Sequence, residues 1–179
     1  MITWKKHFIY LADYQHWANE ALFTSLDHLS DDARKSDQQL LHHSMHQTID
    51  HILLINRLWL ARLRHQPFSA AFNQIHYPDW RELKTTLQKE TRQFQHWLEA
   101  QPDVFFEESL SYASVAGHTR ENWVRDILTH IFNQATHHRA QVAAMALRLG
   151  APVAELDYLI YKQEVADCLD ELAHQRPGN

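Results

Sequence analysis

The scarcity of glycine and proline is the feature that most restricts what this chain can fold into. Only three glycines and five prolines occur in 179 residues, whereas a sheet protein needs many turns, which these two residue types usually form. Long helices are therefore predicted. The length fits one domain, and hydrophobic residues make up 45% of the chain, enough to build one sizeable core. We expect an all-α protein with a single domain over residues 1–179.

Apolar residues recur at intervals of three and four along four long stretches, the pattern of amphipathic helices. The predicted helices cover residues 4–29, residues 44–64, the stretch from Asp79 as N-cap to near Pro102, residues 119–149 with Thr119 as N-cap, and a shorter C-terminal stretch over residues 159–173. Residues 105–118 are treated as a loop, with a short hairpin as the alternative. The long connections predict a four-helix bundle with at least one crossover connection.

The charge balance disfavours two classes of partner. A net charge of -5 and a pI near 6.3 lack the basic surface that binds nucleic acid or anionic membranes. The N-terminus lacks the pattern of a signal peptide, and no apolar run approaches the roughly 18 residues of a membrane span. The single cysteine, Cys168, cannot form an internal disulfide. A cytoplasmic protein without a nucleic-acid or membrane partner is expected.

Histidine is unusually abundant, with fifteen residues. On a helical wheel of the fourth predicted helix, His138 lies near the centre of the apolar face. Gln134 lies one turn earlier at the edge of that face, so the two side chains can converge on one ion. His130 and His137 lie roughly 100° from the centre of the apolar face. His138 is therefore predicted to point into the bundle.

The second predicted helix is apolar over most of its circumference. We expect its narrow polar face to meet water, and this face carries His46, Asp50, Arg57 and Arg64. His51 lies roughly 125° away from that face. The wheel thus predicts a second inward histidine on a different helix from His138.

Two buried imidazoles on different helices can be satisfied in two ways, by hydrogen bonds or by a shared metal ion. Glu90 also falls within an apolar stripe, that of the third predicted helix. In a structural interpretation, Glu90 lies at the edge of the stripe and points outward, or it pairs with an arginine such as Arg139. In a functional interpretation, it is a carboxylate that supports a metal ligand or acts as a general base.

Several segments resemble the DinB family. Residues 48–62 read TIDHILLINRLWLAR, and residues 130–141 read HIFNQATHHRAQ. The first predicted helix and the end of the fourth carry residues that resemble the flanking signatures of that family: Tyr14, Trp17, Ala18, Asn19, Gly150, Ala151, Pro152, Leu156 and Asp157. Together these segments extend over most of the chain.

The resemblance implies a DinB-like four-helix bundle, usually a homodimer, that holds one divalent metal ion with three histidines. By position, the first ligand is His51 and the last is His138. The middle position, a histidine in the family, is Gln134 here. An amide oxygen is a weaker ligand than imidazole, which predicts a weakly held or water-completed ion; His130 is the substitute if Gln134 does not coordinate. Zinc, nickel and iron all accept imidazole, so the metal stays open.

Two functions are compatible with this resemblance. The first is an enzyme, a metal-dependent hydrolase or a thiol-dependent transferase, that acts on a small molecule and uses Glu90 or a nearby histidine to move a proton. A low-molecular-weight thiol is then an expected partner. The second is a non-catalytic DinB-like bundle with a degenerate metal site, which serves as a stress-related binding or structural protein.

Overall fold

The chain folds as a bundle of four long helices with a shorter helix at its C-terminal end. The computed structural model describes residues 2–39 and 42–174. The helices are α1 (Trp4–Leu26), α2 (Asp31–Lys35), α3 (Met45–Leu63), α4 (Trp80–Glu99), α5 (Val124–Arg148) and α6 (Tyr158–His174). A 3₁₀ turn (Asp103–Glu107) and an antiparallel hairpin of β1 (Ser109–Ala113) and β2 (Thr119–Trp123) lie between α4 and α5. The predicted all-α fold class is confirmed.

Two of the connections between the long helices join helices that lie diagonally opposite in the bundle. α1 packs mainly against α4 and α5, and α3 packs mainly against α5 and α4. The consecutive long helices α1 and α3 therefore lie on one diagonal of the bundle, and α4 and α5 lie on the other. A diagonal step cannot be made by a tight hairpin. The connection that contains α2 and the one that contains β1 and β2 are thus the predicted crossover connections.

The helix ends follow side-chain capping rules at most places. Thr3, Ser44 and Asp79 each accept a hydrogen bond from the backbone N–H three residues later and so begin α1, α3 and α4. The N-cap role predicted for Asp79 is therefore confirmed. α5 ends before Gly150, whose φ of +80° is the left-handed conformation that glycine adopts most easily after a helix.

The predicted N-cap at Thr119 is wrong. Thr119 is the first residue of β2 and pairs with Ala113, so the backbone from residue 119 to residue 123 is extended. α5 begins only at Val124, whose backbone N–H donates to the carbonyl of Glu108 at 2.9 Å. The ladder between the two strands thus takes precedence over the capping tendency of threonine, and the hairpin alternative holds for this stretch.

Two clusters of buried apolar side chains fill the bundle along its length. One cluster is built around Leu22, Leu26, Met45, Ile49, Leu83, Leu87, Val142 and Met145. The other is built around Phe8, Leu63, Leu98, Phe106, Ile127, Leu128 and Phe132. In the part of the chain that the structure describes, no helix combines the length and apolar character needed to cross a membrane.

Candidate metal centre

Three histidines from different parts of the fold converge at one place. His42 comes from the connection between α2 and α3, His51 from α3 and His138 from α5. The ring centroids of His42 and His51 are 3.9 Å apart, and those of His51 and His138 are 5.0 Å apart. One ligand nitrogen from each ring lies within 4.8 Å of the others. The structure brings His51 and His138 together, in line with the inward direction that the helical wheels predict, and their role as metal ligands stays a prediction.

His42 is held in place by a tight local turn. The backbone N–H of Gln38 donates to the carbonyl of His43 at 2.6 Å, and that of Ser44 donates to the carbonyl of His42, also at 2.6 Å. Gln39 and His43 have φ values of 59° and 57°, both in the left-handed region. Ser44 then caps α3. The turn and the helix start thus fix the backbone of His42 just before the first turn of α3.

The ring of His138 is oriented by Gln141, one turn later on α5. The Nδ1 of His138 lies 3.0 Å from the Oε1 of Gln141, which can only accept a hydrogen bond. The tautomer with its proton on Nδ1 satisfies this contact and keeps the lone pair on Nε2. A second partner that fixes the tautomer in this way is typical of histidines that bind metal through the opposite nitrogen.

All three rings favour the neutral form. Burial lowers the pKa of His51 to about 4, with further lowering by His42 and His138. The pKa of His42 is lowered for the same reasons, by burial first and then by His138 and His43. Burial also lowers the pKa of His138, against a smaller opposing effect of its hydrogen bond to Gln141. A neutral imidazole is the form that binds a metal.

The donor set fits a divalent ion. Three imidazole nitrogens suit zinc, nickel and iron, and a tetrahedral site with bonds near 2.1 Å separates its ligand atoms by about 3.4 Å, so small ring movements would close this cluster on an ion. The buried Nε2 of His42 and the buried Oε1 of Gln134 have no hydrogen-bond partner among the described residues. Buried polar atoms usually have a partner. These two atoms are thus available to an ion or to its bound water.

The other two predicted ligands are placed differently. Gln134 is half-buried on α5, one turn before His138, and its role as a ligand stays a prediction. His130 is exposed and its ring packs edge-on against Trp59, with 5.4 Å between the ring centroids. The structure does not bring His130 into the histidine cluster, so its role as a substitute ligand also stays a prediction.

Glu90 forms an ion pair, but not with Arg139. Its Oε2 accepts a hydrogen bond from the Nε of Arg57 at 2.8 Å, and its Oε1 accepts from the Nη2 of the same guanidinium. Arg139 instead donates to the side chains of Gln15 and Thr136. The structural interpretation is thus supported with a different arginine, and the proton-transfer role of Glu90 stays a prediction.

The polar face of α3 does not meet water as predicted. His46 is fully buried and Asp50 is 4% exposed. The segment of residues 72–77, before α4, covers this face: the carboxylate of Asp50 accepts the backbone N–H groups of His76 and Tyr77 at 3.1 and 2.9 Å. Arg57 is half-buried, and Arg64 alone of the four is exposed as expected. A polar stripe is thus buried because a loop with unpaired backbone groups lies across it.

A cleft of about 380 Å³ opens beside the histidine cluster. The side chains of His42 and His51 line one wall. The opposite wall is the segment that Asp50 holds, with Phe72, Asn73 and Ile75 facing the cleft. Amide and apolar side chains make up six of the ten lining residues, and three histidines and Asp50 make up the rest, so the cleft offers both apolar and polar contacts to a small molecule.

His42 was not predicted from the sequence. A helical wheel tests only residues within a helix, and His42 precedes the N-cap of α3. The signal that could have found it is a pair of histidines, His42 and His43, directly before Ser44, which is a strong start signal for a helix that itself carries an inward histidine. A residue at such a boundary can reach the same end of the bundle as a residue two turns into the helix.

The fold and the site define a class, a diagonal-crossover four-helix bundle with a cluster of three histidines that can hold a metal ion. The model of the DinB family matches residues 1–171. The chain is 21% identical over 158 residues to Protein DinB of Bacillus subtilis (strain 168), which covers 84% of this chain and 91% of that protein. It also resembles the crystal structure of a DinB-like protein from Bacillus cereus ATCC 10987, with a TM-score of 0.59, 18% identity, and coverage of 77% of this chain and 89% of that one. The chain belongs to the DinB family.

Proposed function

We propose that this DinB-family chain binds one divalent metal ion through His42, His51 and His138, and that it uses the ion on a small molecule held in the adjacent cleft. The convergence of three imidazole nitrogens within 4.8 Å is the observation that carries this proposal. His42 then supplies the third imidazole that Gln134 does not. The loop residue compensates for the substitution on α5, so the centre need not be degenerate.

The residues around the site have separable tasks in this proposal. Gln141 fixes the tautomer of His138, and the turn between Gln38 and His43 positions His42. When bound, a divalent ion supplies a Lewis acid that makes a water or a thiol easier to deprotonate. Gln134 offers an amide oxygen that can hydrogen-bond a water or thiol at the centre. The cleft wall that contains Phe72 and Ile75 offers apolar contacts to one side of the bound molecule.

The reaction class that fits is a hydrolysis or the transfer of a group to a low-molecular-weight thiol. Three protein ligands leave at least one position open, as catalytic metal sites require. The cleft beside the histidines provides room for a small substrate. The family resemblance supports a homodimer that lies in the cytoplasm, and the net charge of -5 disfavours a nucleic-acid partner.

Metal analysis of protein purified without a histidine tag tests the proposal. We expect about one ion per chain and, in a cobalt titration, the visible absorption of a low-coordinate site with nitrogen ligands. His42→Ala should weaken cobalt affinity by more than about 100-fold, because even the loss of an outer hydrogen-bond partner costs about 10–100-fold. His51→Ala and His138→Ala should do the same.

Two neighbouring histidines provide matched controls. His43→Asn removes the imidazole next to His42 and keeps a residue that adopts the left-handed backbone found there. His137→Ala changes the exposed residue next to His138. Both variants should leave cobalt affinity within about twofold of the parent protein. If His42→Ala also leaves it unchanged while Gln134→Ala abolishes binding, the third ligand is Gln134 and our assignment is wrong. Absence of a stoichiometric ion in the parent protein would favour the non-catalytic bundle instead.

A further inference from the structure

Arg139 carries a positive charge in the interior, and no carboxylate of the described residues pairs with it. Arg139 is 2% exposed, and none of the ion pairs among the described residues involves it. Its guanidinium donates to three neutral oxygens, the amide oxygens of Gln15 and Asn19 and the hydroxyl of Thr136. Buried charges are normally paired with an opposite charge. The interior around Arg139 therefore holds a cation that an anion would stabilise further.

A wide groove reaches this arginine from the surface. The groove has a volume of about 840 Å³ and lies between α1, α5 and the connection from α5 to α6. Most of its lining is apolar, with Leu11, Phe132, Leu147 and Val153 among the larger side chains and a row of alanines on α5. This lining shares no residue with the cleft beside the histidine cluster. The groove is thus a separate place in the molecule.

Arg139 is the one cationic side chain that lines the groove among the described residues. Tyr14 lies beside it, with the guanidinium carbon 5.5 Å from the ring centroid, and the Tyr14 hydroxyl donates to the carbonyl of Leu156 at 2.6 Å. Thr136 also lines the groove and contacts the same guanidinium. A ligand in the groove would therefore meet an apolar wall along its length and a polar, positively charged end.

We propose that this groove binds a small amphipathic carboxylate, with its carboxylate at Arg139 and its hydrocarbon part along the apolar wall. A guanidinium matches a carboxylate in geometry as well as in charge. Its attraction is strengthened by the low dielectric around it. Glu155 and Asp157 also line the groove, but both are exposed, and exposed charges are screened by salt far more than a buried one.

Octanoate is the probe that tests this proposal, with octanamide as its uncharged counterpart. In calorimetric titrations of the full chain we expect saturable binding of one octanoate, at least about tenfold tighter than octanamide. Arg139→Gln should remove this preference, because its neutral amide cannot replace the charge. Equal affinity for the two probes, or no saturable octanoate binding, would overturn the proposal.

A second variant separates ligand binding from the structural role of Arg139. Ala144 lies on an exposed position of α5 and lines the groove, so Ala144→Trp should fill the groove without disturbing the core. We expect it to reduce octanoate affinity by at least about tenfold with an unchanged circular dichroism spectrum. Ala166→Trp, on an exposed position of α6, is the control and should bind octanoate as the parent does. If Ala144→Trp dissociates a dimer and leaves octanoate affinity unchanged, the groove is an interface between copies and the proposal fails.

Discussion

A buried histidine in this chain becomes a candidate ligand only where another imidazole faces it. His46 and His138 are both buried. The Nε2 of His46 donates to the carbonyl of Tyr77 at 2.6 Å, and its Nδ1 is buried without a partner among the described residues. His46 contacts the ring of Trp80 rather than another histidine. Burial is thus shared by both residues, and the orphaned nitrogen belongs to His46, so the convergence with His42 and His51 is what distinguishes His138 as a candidate ligand.

The ion pair of Glu90 allows a direct test of its role at the level of a single residue. Glu90→Gln should lower the free energy of unfolding by about 1–2 kcal/mol, because Arg57 loses a two-point partner in a half-buried place. Urea unfolding measures this loss. Cobalt affinity should stay unchanged.

Glu99→Gln, at an exposed position at the end of α4, is the control and should change stability by less than about 0.5 kcal/mol. The opposite pattern for Glu90→Gln, unchanged stability with weakened cobalt binding, would favour its role as a group that supports the metal.

At the scale of elements, α3 contributes one wall of the cleft and holds the other in place. One face presents His51 to the histidine cluster. An adjacent face holds residues 72–77, the covering segment. His46 contacts the carbonyl of Tyr77, and Arg57 donates to its hydroxyl. Asp50 accepts from the backbone N–H groups of His76 and Tyr77. The position of the cleft wall therefore depends on the same helix that carries a candidate ligand.

Asp50→Asn tests this attachment. The amide keeps one acceptor oxygen but loses the charge and one of two charge-assisted hydrogen bonds, so we expect a loss of about 2 kcal/mol in the free energy of unfolding. Hydrogen exchange at the amides of His76 and Tyr77 should become faster. Asp126→Asn, on an exposed residue of α5, should leave the exchange of these two amides unchanged. Unchanged exchange in Asp50→Asn as well would mean that other contacts hold the segment.

The elements that sequence predicts well here are those whose residues interact along the chain. The periodicity of α3 and α5 and the N-caps Ser44 and Asp79 are local, so the helices and the inward direction of His138 could be predicted. The burial of His46 and Asp50 depends on a segment 26 to 31 residues away in sequence. The convergence of His42 depends on a turn that no periodic pattern encodes. Neither the burial of His46 and Asp50 nor the position of His42 could be predicted without the three-dimensional arrangement.

At the scale of the whole molecule, buried neutral histidines make the free energy of unfolding depend on pH. Burial lowers the pKa of His46, and Lys35 lowers it further, while its hydrogen bond to Tyr77 and the carboxylates of Asp31 and Asp50 oppose this. Burial and Arg92 likewise lower the pKa of His16. In the unfolded chain both groups titrate near 6.5. The unfolded state therefore takes up protons first as the pH falls, which favours unfolding.

We expect the free energy of unfolding, measured with urea in the presence of a chelator, to decrease as the pH is lowered from 7.5 through the unfolded-state pKa of about 6.5. His46→Gln keeps a donor for the carbonyl of Tyr77 but cannot titrate, so its decrease should be shallower. His118→Gln, on the exposed turn of the hairpin, should show the slope of the parent protein. A slope for His46→Gln as steep as that of the parent would assign the acid sensitivity to other groups.

The covering segment, residues 72–77, is anchored to α3 at its C-terminal end, and residues 72–75 make none of these anchoring contacts. His46, Asp50 and Arg57 all hold it at His76 and Tyr77, whereas Phe72, Asn73 and Ile75 face the cleft. Under the proposed function, the residues that contact the small molecule can therefore vary while the three histidines and the anchor residues stay the same. Residues 72–75 would then form a replaceable segment, and grafting a different loop there would change which small molecule the cleft accepts without redesign of the bundle.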